Sequence, residues 1–252
     1  MEFQQIRNAS VRITAGGVSF LIDPWLSDMA DEEEIRQALS IRKFIPKPVV
    51  PLSMPAQEIL KETDYILVTH YHPDHFSADY LPKDAPMFFQ NRTDAEKAAA
   101  LGFTDTGWFE SVRMQFGNVT VFRTGGRHGD SDELAEHAGP VSGFVFCTEG
   151  EPVLYLAGDT VFCPEVEDAL KQYRPDITVV NACDARTSRG SLIMNADDVM
   201  QVCRVFGGTV IASHMDSVSH AHLSRTQLKQ ILEENGYDRQ IQIPSDDEII
   251  RF

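Results

Sequence analysis

The stretch Thr69-His70-Tyr71-His72-Pro73-Asp74-His75 decides how this chain is read. It sets three histidines and one aspartate within six residues, directly after the apolar run Tyr65-Ile66-Leu67-Val68. If that run is a strand, the ligand-type residues fall on the loop just past its end. His70 and His72 then point the same way, because extended side chains repeat every two residues. Asp74 and His75 turn to the other side, which serves two ions better than one tetrahedral ion. Imidazole and carboxylate together suit a borderline or hard divalent ion such as zinc, manganese or iron. A polar loop with incidental histidines explains the same residues far less well.

Four more strand-like runs end in a residue of the same kind. Phe20-Leu21-Ile22 leads to Asp23-Pro24-Trp25, where an Asp-Pro turn is the plainer explanation. Val119-Thr120-Val121-Phe122 precedes Thr124-Gly125-Gly126-Arg127-His128, whose glycines allow a sharp bend. Val153-Leu154-Tyr155-Leu156 leads to Ala157-Gly158-Asp159-Thr160, where Asp159 also suits a helix N-cap. Thr209-Val210-Ile211-Ala212-Ser213 leads to His214, with His220 and His222 close behind as competitors.

The pattern His-x-His-x-Asp-His resembles the signature of the metallo-β-lactamase superfamily, and the other strand ends follow that family's order. The resemblance implies an α+β fold, a four-layer αββα sandwich with two sheets face to face and helices outside. It implies a binuclear site in which His70, His72 and His128 hold one divalent ion and Asp74, His75 and His214 hold the second. Asp159 would bridge them, since a carboxylate can bind one metal with each oxygen. Asp23 would hold a ligating histidine by hydrogen bond. The implied cofactors are two divalent ions per chain, zinc first and manganese or iron next. The implied activity is hydrolysis by a metal-bridged hydroxide of a small ester, lactone, amide or phosphoester. The Asp23-Pro24-Trp25 element, Ala157-Gly158-Asp159-Thr160 and Pro51-Leu52-Ser53-Met54-Pro55 are similar to the branch of L-ascorbate-6-phosphate lactonase-like hydrolases.

Composition bounds the partners. The chain has 252 residues, 42% hydrophobic and 24% charged, which is ordinary for a globular protein. Because the ligand-type residues are spread along it, residues 1–252 read as one domain. A formal net charge of -16 and the lack of a Lys/Arg cluster argue against nucleic acid as substrate. A small anion is still attracted if two ions dominate the local field. No apolar run is long enough to span a membrane. Met1-Glu2-Phe3-Gln4-Gln5 lacks the basic-then-apolar pattern of a secretory leader, so a cytoplasmic location is expected. The four cysteines, Cys147, Cys163, Cys183 and Cys203, show no C-x-x-C spacing and read as buried small hydrophobes, with Cys163 a candidate for the pocket border. Relatives often assemble, so a homo-oligomer is expected.

The hydrophobic pattern predicts a hairpin through Gly16-Gly17 and helices near 31–39, 93–101, 164–172, 195–206 and 225–235. Strands are expected near 112–122, 141–147, 240–243 and 248–252. Residues 42–55 read as an extended, proline-rich loop suited to cover substrate, and 125–143 as a flap. For catalysis, Asp74 or Asp159 would orient or deprotonate the nucleophile. His220, with His222 as a second candidate, would protonate the leaving group, and Arg186 or Arg189 would clamp an anion. The competing classes are a non-catalytic binding or sensor protein on the same fold and a phosphodiesterase or nuclease. The intact ligand set weighs against the first, and the acidic charge against the second.

Overall fold

A computed structural model describes all 252 residues. The chain opens with β1 (Glu2–Arg7), β2 (Ser10–Ala15) and β3 (Val18–Ile22), then α1 (Glu32–Ile41) and α2 (Ala56–Lys61). Next come β4 (Tyr65–Val68), β5 (Met87–Phe89), α3 (Arg92–Ala100) and β6 (Thr106–Trp108). The second half holds β7 (Arg113–Phe116), β8 (Val119–Thr124), α4 (Asp132–Ala138), β9 (Gly143–Cys147), β10 (Leu154–Leu156) and α5 (Pro164–Tyr173). It continues through β11 (Ile177–Asn181), β12 (Arg186–Thr187), β13 (Gly190–Ser191), α6 (Ala196–Val205) and β14 (Thr209–Ser213). The chain closes with α7 (Arg225–Asn235), β15 (Ile241–Gln242) and β16 (Ile249–Arg251).

Two seven-stranded sheets result, in the orders β16-β1-β2-β3-β4-β5-β6 and β15-β14-β11-β10-β9-β8-β7. Alternation along each strand assigns the layers. Phe20 and Ile22 face the opposite sheet, while Leu21 between them packs outward against helices. Leu67 and its neighbours Ile66 and Val68 divide in the same way. In the second sheet, Ile211 points inward and Val210 and Ala212 outward. The inner layer is therefore a shared sheet-on-sheet core containing Phe3, Phe20, Phe144 and Phe146. Outside the first sheet, α2 and α3 contribute Ile59, Ala95 and Ala98. Outside the second, α5, α6 and α7 contribute Val166, Val202, Leu228 and Leu232. These are the four layers expected from the resemblance.

The elements follow local chemistry. Asp31, Asn91, Ser131, Asn195 and Ser224 each cap a helix by accepting a backbone N–H. Within residues 125–143, Ser131 caps the short helix α4. The N-cap alternative for Asp159 is not taken up, because α5 begins later, with Cys163 in the cap position and Pro164 at its start.

The parallel part of each sheet positions the site. In the first sheet β3, β4 and β5 run parallel, and in the second β10, β11 and β14 do. Their carboxyl ends gather at one rim of the sandwich. No helix is long and apolar enough to cross a membrane.

Candidate metal centre

Both sheets deliver side chains to this rim. From the first, Asp23 follows β3 and the run His70 to His75 follows β4. From the second, His128 follows β8, Asp159 follows β10 and His214 follows β14. Asp23, His70, Asp74, His75, His128, Asp159 and His214 are buried, and His72 is half-buried.

Three sets of donor atoms converge, each within 4.8 Å: His70, His72 and His128; His70, His75 and Asp159; and Asp74, His75 and His214. His72 Nδ1 lies 3.0 Å from His70 Nε2 and 3.2 Å from His128 Nε2. His75 Nε2 lies 3.1 Å from both His214 Nε2 and Asp159 Oδ2. His214 Nε2 is 3.4 Å from Asp74 Oδ2. Asp159 reaches both groups, with Oδ2 3.9 Å from His128 Nε2 and Oδ1 3.7 Å from His214 Nε2.

The outward ring nitrogens fix which way these imidazoles face. His75 Nδ1 donates to Asp23 Oδ2 at 2.8 Å, and His128 Nδ1 donates to the Leu192 carbonyl at 3.0 Å. Thr69 Oγ1 gives its own proton to Asp23 Oδ2 at 2.7 Å, so it accepts from His70 Nδ1 at 3.1 Å. With protons on those nitrogens, the Nε2 lone pairs of His70, His75 and His128 all point inward at one another and at carboxylate oxygens. Lone pairs facing lone pairs cannot pair by hydrogen bonding. A cation among them satisfies every one, so this donor set fits a divalent metal.

Charge runs the same way. Burial drives the His128 imidazole down to about 4, into its neutral, ligating form. Burial, joined by the neighbouring His75 and His72, also holds His70 well below its ordinary value. His75 differs. Burial opposes its charge, but Asp159, Asp23 and Asp74 outweigh burial and lift it to about 10. Without a metal, a proton takes the place of a cation at that nitrogen.

Of four supporting residues, three give no recognisable signal in the sequence. Asn181, the last residue of β11, donates to Asp159 Oδ1 at 2.7 Å. Asn8, in the β1–β2 turn at φ 57°, donates to the Asp74 carbonyl and lies 3.3 Å from His214 Nε2. Cys183 Sγ sits 3.5 Å from His214 Nδ1. Cys163, the cysteine singled out from sequence, packs into the core beside α5 instead. Phe44 lines the mouth. Asn8 is the one with a local hint, an asparagine in a left-handed turn. Gly158 is also required, because its φ is +72° and a Cβ there would lie 2.5 Å from the Ser142 carbonyl oxygen.

Above the histidines lies a cleft of about 300 Å³, lined by His72, Asp74, His128, Asp159, His214 and His220, with Phe44, Ala185, Leu192, Arg42 and Arg186 around them. A larger surface groove of about 620 Å³ lies beyond Pro73, but it contains none of the histidines. His220 faces the cleft, and its Nδ1 is buried without a partner. His222 does not line the cleft; its Nδ1 bonds the His220 carbonyl. Arg189 also stands away, paired with Glu133, so the expectation of an anion clamp there is corrected. Arg186 lines the cleft, bonded at 2.7 Å to Asp184.

Known proteins resemble this chain along its length. The protein YddR of Bacillus subtilis is 36% identical over the full length of both chains. The crystal structure of an isothiocyanate hydrolase from Delia radicum gut bacteria is 30% identical, covers 100% of this chain and 99% of its own, and superposes with a TM-score of 0.88. A possible metal-dependent hydrolase from Veillonella parvula is also 30% identical, over 99% of this chain and 98% of its own, with a TM-score of 0.89. The profile of the beta-lactamase superfamily domain matches residues 19–215, from β3 through the residue after His214. With that match spanning most of its length, the chain belongs to the beta-lactamase superfamily.

Proposed function

We propose that this protein is a metal-dependent hydrolase acting on small molecules, with residues 1–252 working as one domain and two divalent ions held at the sheet rim. His70, His72 and His128 would hold one ion and Asp74, His75 and His214 the other, with the Asp159 carboxylate available to both. Zinc is the first candidate from the imidazole-rich donor set, with manganese or iron next. The observation that carries this reading is the inward convergence of histidine lone pairs from two different sheets. Structural packing gives no reason to collect them.

Divalent ions bound there supply Lewis-acid polarisation of the substrate and a water ionised near neutral pH. The protein's own groups do the rest. Asp23 and the Leu192 carbonyl lock His75 and His128 in the ligating tautomer. Asn181 fixes the Asp159 carboxylate. Asp74, at the floor of the cleft, orients the attacking water and takes up its proton. His220, facing the cleft from the loop after His214, donates a proton to the leaving group. Burial lowers its pKa, so the ring gives its proton up readily once charged.

The substrate reacts at an electrophilic carbon or phosphorus. Esters, lactones, amides and phosphoesters all fit the chemistry. The isothiocyanate hydrolase, similar along its whole length, puts isothiocyanates first among compounds to assay.

The test is elemental mass spectrometry of protein purified without added metal, beside the Asp159→Ala and His70→Ala variants. About two ions per chain, falling in both variants together with hydrolysis of the compound panel, is the expected result. Wild-type protein that stays metal-free after zinc and manganese are offered would sink the proposal and leave a binding role on this fold.

A further inference from the structure

The mouth of the cleft carries an apolar feature that hydrolysis alone does not explain. Phe44 lies on the irregular segment after α1, with 40% of its surface exposed, and it belongs to none of the packed core clusters. Its aromatic neighbour is the His220 ring, met edge-on at 5.2 Å. A large ring left open at the rim of a cleft is area that a ligand can cover.

The backbone on both sides of Phe44 is pinned to one buried hydroxyl. Ser219 Oγ donates to the Lys43 carbonyl at 2.6 Å and accepts from the Ile45 N–H at 3.2 Å. Farther along, the Val49 N–H donates to the Ser217 carbonyl at 2.9 Å. The segment is therefore stitched to the loop between His214 and His220, and the ring is presented at a fixed place. Ala185 and Leu192 add apolar surface to the same cleft, backed by Trp25, Ile193 and Val218.

The charged groups nearby do not favour an anion equally well. Arg186 already pairs with Asp184, and Arg42, which carries no ion pair, is exposed and solvated. Neither offers a desolvated charge, whereas Phe44, Ala185 and Leu192 offer apolar contact.

We propose that Phe44 is the specificity-determining residue of this site, selecting substrates whose reacting group carries a small apolar body, aryl or short alkyl, over those carrying an anion. The inference rests on the reading that substrate binds in the cleft above the histidines. It concerns the body of the substrate, not the bond that is cleaved.

The test needs no turnover. Thiols anchor to a bound zinc through sulfur, so 2-phenylethanethiol, ethanethiol and 2-mercaptoethanesulfonate report what the mouth prefers. Affinities for the zinc-loaded protein are measured by titration calorimetry for wild type, Phe44→Ala and Phe44→Leu. The phenyl compound should bind the wild type about tenfold more tightly than ethanethiol, the effect of covering one ring. In Phe44→Ala that ratio should fall to about twofold, with ethanethiol little changed, and Phe44→Leu should keep most of it. An equal ratio in wild type and Phe44→Ala overturns the inference, as does tighter binding of the sulfonate or failure of all three thiols to bind. A protein that hydrolyses nothing yet keeps the phenyl preference refutes the hydrolase reading and leaves this one standing.

Discussion

Replacing Asp23 by asparagine isolates what one buried carboxylate does for the centre. Asp23 is 1% exposed and accepts three hydrogen bonds, from Thr69 N and Thr69 Oγ1 at 2.7 Å each and from His75 Nδ1 at 2.8 Å. Asparagine has nearly the same shape and tolerates the φ of 48° at this position. Its carbonyl can keep the Thr69 N–H. The amide nitrogen then stands where Oδ2 accepted from two donors. The threonine hydroxyl can turn, but His75 must move its proton from Nδ1 to Nε2 to avoid two donors meeting. That places a proton on the very nitrogen aimed at the centre. Loss of such a tautomer-fixing partner weakens metal binding by about 10- to 100-fold, or about 1.4–2.8 kcal/mol. Competition for zinc with a chromophoric chelator measures the change, and melting of the metal-free protein shows whether the fold is intact. An Asp23→Asn variant with wild-type zinc affinity and wild-type melting would refute the reasoning.

Other expected outcomes follow from the same geometry. Gly158→Ala should cost about 2–4 kcal/mol, because a Cβ meets the Ser142 carbonyl at 2.5 Å in a left-handed backbone; denaturant unfolding checks it. Metal uptake at pH 7 should release protons. His75 is lifted to about 10 by its carboxylate neighbours, so it holds a proton that must leave, and affinity should rise with pH until about that value. Calorimetry in buffers of different ionisation enthalpy reads this directly, and buffer-independent heats would contradict it. His220→Ala should lower kcat by about 10²-fold or more while metal content stays at the wild-type level, and full kcat would remove His220 from the proton-transfer role.

The ligand-type residues were legible because each stands at the end of an apolar run. Sequence order along the chain maps onto one rim, since parallel strands all end at the same edge. Asn181 and Cys183 were not legible for the same reason turned round: each acts through a neighbour brought close by the pairing of β11 with β10 and with β14, and nothing local marks a residue that serves a distant one. The helices near 195–206 and 225–235 read well because Asn195 and Ser224 form capping boxes. The short pair β12 and β13 escaped because two-residue strands leave no periodicity to see. β1 escaped because Gln4, Gln5 and Arg7 are polar yet buried, Arg7 being held by the Trp25, Ser27 and Val50 carbonyls. Phe44 was hidden in a proline-rich loop whose path depends on Ser219, far away in sequence.

The rim is assembled from two sheets whose contributing residues run from His70 to His214, and this has a polymer consequence. An ion gripped by both sheets is a reversible cross-link across the greater part of the chain. Binding the folded chain and not the unfolded one, it would stabilise the fold by mass action as free metal rises above its dissociation constant. Resistance to proteolysis then becomes a gauge of metal supply. Starved of such an ion, the chain would be easier to pull apart at the seam between its halves.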